Sequence, residues 1–140
     1  MRTIIVGVDG SEPSIRALTY AASLVADLVD SQLVVAHARY MPYLWAPEHV
    51  AEDEFSDLLD RAEQFVRETA QRELERYALR WTIERREGEP SQVLRDLAHE
   101  LDASLVVVGR RGWSTVQELV LGSVSNRLVH RNDVRVLLVP

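Results

Sequence analysis

Apolar runs and helix-period segments take turns along this chain, and that alternation is its strongest constraint on fold. Runs rich in Val, Ile and Leu lie at residues 4–8, 33–38, 105–108 and 134–139, with a fifth, less apolar and alternating, at 81–86. Runs of this kind, bounded by turn residues, read as strands. Ile15, Leu18, Ala22, Val25 and Val29 recur at helical spacing between the first two. A longer stripe follows at Phe55, Leu58, Leu59, Ala62, Phe65, Val66, Ala70, Leu74 and Tyr77, then Val93, Leu94, Leu97, Ala98 and Leu101, and finally Val124 and Leu128. The predicted order is β-α-β-α-β-α-β-loop-α-β. Strands regularly separated by helices specify a mainly parallel sheet with helices on both faces. The expected fold is therefore a doubly wound, Rossmann-like α/β sheet of five strands, one domain over residues 1–140.

The punctuation between elements agrees with this order. Asp9-Gly10-Ser11 ends the first run, with Ser11 an expected N-cap and Pro13 tolerable in the first helical turn. Glu87-Gly88-Glu89-Pro90 breaks the chain after the alternating run, which belongs at a sheet edge. Open parallel sheets bind ligands beyond the carboxyl ends of their strands, where strand order reverses. Asp9, Ala38 and Gly109 are all expected just past strand ends, so they should share one rim.

The chemistry concentrates after the fourth run. Gly109-Arg110-Arg111-Gly112 is followed nine residues later by Gly122-Ser123-Val124-Ser125. Glycines let the backbone turn tightly and approach a ligand without a Cβ. The Gly-Ser-x-Ser segment then opens a helix, and a helix N-terminus presents amides to an anion, commonly a phosphate. The spacing G-x2-G-x9-G-S is far more specific than a lone glycine pair. All 16 basic residues are arginine. Without lysine there is neither Schiff-base chemistry nor a P-loop, so phosphate must be held by amides, hydroxyls, arginine or a metal.

Charge and composition remove other classes. A net charge of −6 argues against non-specific nucleic-acid binding. The chain has no cysteine, hence no disulfide or thiolate chemistry. No run approaches the roughly 18 apolar residues of a membrane span, and no signal-like segment opens the chain, so a soluble cytoplasmic protein with no membrane or nucleic-acid partner is expected. His37, His49, His99 and His130 lack the spacing of a zinc site. His37 reads as a satisfied core or rim histidine.

Val6-Gly7-Val8-Asp9-Gly10-Ser11, Val35-Ala36-His37-Ala38, Leu105 to Gly112 and Leu121-Gly122-Ser123-Val124-Ser125 together resemble the universal stress protein family, from residue 2 to residue 139. The glycine-serine spacing resembles that family's ATP-binding signature. The resemblance implies ATP carried with Mg²⁺, and a homodimer joined through the last strand, Val134 to Val139. It implies that Asp9 lies by the adenosine or, indirectly, the metal, and that the Ala38 backbone meets adenine. Gly109, Arg111, Gly112, Gly122, Ser123, Val124 and Ser125 would surround ribose and phosphates. Ser104 and the Val134-Arg135 pair depart from the Asp and Pro-Val that members often carry there.

Several residues keep two readings. Asp9 either builds the turn or contacts nucleotide, and one carboxylate is too few to hold a metal without it. Arg110, Arg111, Arg127 and Arg131 either neutralise phosphate or are solvated or paired with acids. Tyr40, Tyr43 and Trp45, in the loop from Arg39 to Pro47, cover the base, meet a protein partner or simply pack. The function expected is an ATP-binding regulatory stress-response protein. The alternatives are a slow ATPase or kinase-like enzyme using Asp9 and the loop arginines, and a nucleotide-free dimeric adaptor.

Overall fold

The computed structural model describes residues 1–40, 52–111 and 122–140. Its strands are β1 (Arg2–Gly7), β2 (Ser31–Arg39), β3 (Arg80–Glu87), β4 (Leu105–Gly109) and β5 (Val136–Val139). Its helices are α1 (Glu12–Asp27), α2 (Glu52–Leu74), α3 (Pro90–Glu100) and α4 (Ser123–Arg131). The strands form one sheet in the order β3-β2-β1-β4-β5, and every pairing is parallel. The alternating strand is an edge, and its polar residues explain why: Arg85 and Arg86 reach solvent and pair with Glu63 and Glu100.

Side-chain alternation divides the core into two layers. Ile4, Val6, Val8, Leu33, Val35 and Val107 face α1 and α2, where they meet Leu18, Ala22, Val66, Ala70 and Leu74. Ile5, Val34, Ala36, Val106 and Val108 face α3 and α4 and meet Leu94, Leu97 and Leu128. Burying one such Leu or Val contributes about 1.5–3 kcal/mol. The chain changes face between β1 and β4, so the strand order reverses there, beside the ends of both strands.

Several boundaries and faces differ from the sequence reading. α1 stops at Asp27, and Val29 is not part of its stripe but 92% exposed in the following turn. The α2 stripe splits: Val66, Ala70 and Leu74 are buried, whereas Leu58 and Phe65 are 46% and 47% exposed. A helix shows only one side to the sheet, and the eight apolar positions of the stripe within α2 span more than that side. Tyr77 lies beyond α2 yet still packs on the core. β5 begins at Val136 rather than Val134. Ala38 and Gly109 lie inside the last residues of β2 and β4, not past them.

Candidate functional site

The rim at the carboxyl ends of β1 and β4 is built from three turns. The first follows β1. Val8 N still donates to Ala36 O at 2.9 Å, and the chain then leaves the sheet through Gly10, whose φ of +91° favours glycine. Asp9 Oδ1 accepts from Ser11 N at 2.9 Å and from Ser11 Oγ at 2.5 Å. Ser11 is the N-cap of α1, accepting from Ser14 N, and Ser14 Oγ donates to Ser11 O. The turn-building role of Asp9 is thus present in the geometry, and Pro13 sits in the first helical turn as expected.

The second turn follows β4. Arg110 N donates to Val139 O at 2.7 Å, which extends the β4–β5 pairing by one bond. A Cβ on Gly109 would lie 2.9 Å from the Pro13 carbonyl carbon and oxygen. Glycine is required here because the first turn of α1 packs on this backbone, whether or not a ligand also approaches it. The Nε atoms of Arg110 and Arg111 are buried, with no hydrogen-bond partner among the described residues. Among the described residues neither guanidinium is in an ion pair. Both residues are half-buried, and a buried N–H without an acceptor is costly.

The third turn opens α4. Gly122 N donates to Arg110 O at 2.7 Å, and Ser125 Oγ donates to the carbonyls of Arg110 and Gly122. These bonds tie the start of α4 to the end of β4. The helical ladder begins with Asn126 N to Gly122 O, so the amides of Ser123, Val124 and Ser125 precede it. No side chain caps this start. Gly122 has φ −71° and ψ 168°, a conformation open to any residue, so its distinction is the missing side chain. Ser125, buried, spends its single hydroxyl proton on main chain, while Ser123 is exposed.

Ala38 completes the rim, opposite Arg86 in the β2–β3 register, on the sheet face that carries α3 and α4. Asp9, Ala38, Gly109, Arg111, Gly122, Ser123, Val124 and Ser125 therefore belong to one edge of the sheet. Gly112, Tyr43 and Trp45 lie outside the described residues. Arg127 is paired with Glu89 at 3.1 Å. Two rim contacts escaped the sequence reading. His37, buried, places Nδ1 3.0 Å from Val8 O. Glu89 caps α3 by accepting from Ser91 N and Gln92 N.

A family model described as the universal stress protein family matches residues 1–140. The chain belongs to the universal stress protein family. It is 33% identical over 148 residues to universal stress protein Rv1636 of Mycobacterium tuberculosis, covering 99% of this chain and 95% of that protein. A universal stress protein solved in complex with cAMP superposes with a TM-score of 0.73 at 31% identity, covering 99% of this chain and 97% of the other. A family member from Arabidopsis thaliana solved with AMP bound shares the fold, with a TM-score of 0.68 at 15% identity over 99% of this chain and 91% of that one.

Proposed function

We propose that this universal stress protein is a cytoplasmic regulatory protein that binds ATP at the β1–β4 rim, its nucleotide state altering its shape or its partners. The observation that carries the reading is the pair of buried guanidinium Nε atoms of Arg110 and Arg111, unpartnered among the described residues, on the segment whose backbone holds an uncapped helix start. Cations and first-turn amides at one place suit phosphate oxygens, and charge-assisted hydrogen bonds contribute about 1.5–3 kcal/mol each. The relative solved with cAMP supports an adenine nucleotide. On this reading the Ala38 backbone meets the base, and Gly109, Gly112, Gly122, Ser123, Val124 and Ser125 follow ribose and phosphates, with the Ser125 amide rather than its hydroxyl as donor.

The described residues hold no group of three or more His, Asp or Glu side chains that could take a metal. Mg²⁺ in this reading arrives on the nucleotide and meets Asp9 through water. Asp9 Oδ1 is already engaged by Ser11, which favours binding over fast hydrolysis. The test is to denature freshly purified protein and identify released nucleotide by chromatography and mass, then repeat with Arg110→Gln/Arg111→Gln. An adenine nucleotide released by the wild type and lost from the double variant is expected. Equal occupancy in both, or calorimetry showing no binding of ATP, AMP or cAMP to the wild type, overturns the reading.

Assembly follows the same logic. β5 is the second edge of the sheet, with no charged residue among Val136–Val139 and each residue half-buried. An apolar edge invites pairing with another strand, and a homodimer through this strand is the proposed arrangement. Sedimentation that reports a monomer at micromolar concentration removes it.

A further inference from the structure

Among the groups that the nucleotide reading does not use, one side chain ties the end of β2, beside Ala38, to the turn that carries Asp9. His37 is 5% exposed and sits in β2 immediately before Ala38. Its Nδ1 lies 3.0 Å from the carbonyl oxygen of Val8, the residue immediately before Asp9. A carbonyl can only accept, so Nδ1 carries the proton and donates. Val8 is also where β1 leaves the sheet: its amide makes the bond to Ala36 O, and the next residues turn away through Gly10 at φ +91°. The imidazole therefore holds the last carbonyl before the turn, and Asp9 and Ser11 hang from that point through their own bonds.

We propose that His37 is a positioning residue for the nucleotide, setting the spacing between the Ala38 backbone on the base side and the Asp9 turn on the ribose side. The inference rests on the nucleotide reading above. It does not involve the start of α4, which is held separately by Gly122 N and Ser125 Oγ on Arg110 O. Loss of the imidazole should consequently weaken recognition of the nucleoside and spare recognition of phosphate. A role confined to packing would weaken both or neither.

Calorimetry on the full chain without divalent cation, so that Asp9 meets no metal-bound phosphate, separates these outcomes, with ATP and inorganic tripolyphosphate as probes. His37→Leu is expected to weaken ATP binding about three- to tenfold, the scale of one lost hydrogen bond, and to leave tripolyphosphate binding unchanged. His37→Asn, whose amide reaches the Nδ1 position, should restore ATP affinity, whereas His37→Gln, one bond longer, should not. ATP affinity unchanged in His37→Leu, or ATP and tripolyphosphate lost in parallel, overturns the proposal. If His37→Leu does not fold, equal ATP affinity in the Asn and Gln variants overturns it. A wild type that binds no nucleotide defeats the parent reading and this one together. A wild type that binds ATP while every His37 variant matches it defeats this one alone.

Discussion

α3 and α4 begin on the same face of the sheet, α3 directly after β3 and α4 tied to the end of β4 by Gly122 N on Arg110 O, and their first turns are built in opposite ways. Aligned peptide dipoles give any helix start a partial positive charge that attracts anions. α3 meets that demand internally. The Glu89 carboxylate accepts from Ser91 N and Gln92 N and from the Ser91 hydroxyl, and Arg127 balances its charge at 3.1 Å. α4 starts at a glycine with no side-chain cap, and the cations beside it, Arg110 and Arg111, have buried Nε atoms without acceptors. Among the described residues, one helix carries its own anion and a cation to match, and the other has donors and cations only. On the proposed reading, α4 is the start that takes its anion from outside.

The sharpest way to break this contrast is to give α4 what α3 has. Gly122→Asp suits the observed φ and ψ and would place a carboxylate on the first-turn amides. A fixed negative charge a few ångströms from a bound phosphate should weaken ATP binding about a hundredfold at an effective dielectric near 20. Helix stability should change little, because Asp exceeds Gly as a cap by only a few tenths of a kcal/mol. Unchanged ATP affinity by calorimetry, with the melting temperature also unchanged, would show that the start of α4 is not where the anion sits.

Much of this architecture could be read along the chain, because it rests on local patterns. The period-2 and period-3.6 stretches, Ser11 as a cap and the polar edge strand all depend on residues near each other in sequence. Val29, Leu58 and Phe65 are exposed despite their helical spacing for the converse reason: periodicity marks apolar residues but not how wide a face the sheet will cover. The rim shows the same division. The residues of the glycine-serine motif could be named in advance, but the reason for Gly109 could not. Its need for glycine comes from Pro13, far away in the chain, whose carbonyl would lie 2.9 Å from a Cβ at this position. His37 on Val8 O, Ser125 on Arg110 O and Arg127 on Glu89 are likewise partnerships that only the fold creates.

The smaller effect comes from the other side of the contrast. Removing the built-in anion of α3 should cost stability rather than affinity. Burial pushes the Glu89 carboxyl upward, but the Ser91 hydroxyl and amide, the Gln92 amide and Arg127 together outweigh it and hold the group below its ordinary value of 4.5. A carboxyl lowered on folding stabilises the folded state above its unfolded value and loses that contribution as pH falls through the folded one. Glu89→Gln should therefore lower stability by about 1 kcal/mol at neutral pH, the usual worth of a helix cap. In denaturant titrations the gap between the two proteins should stay constant from pH 7 down to roughly 5 and close below about 4 as the wild-type carboxylate protonates. ATP affinity should stay close to that of the wild type, since α4 keeps its amides and both arginines. A Glu89→Gln protein that kept full stability but lost ATP would reverse the roles assigned to the two helix starts.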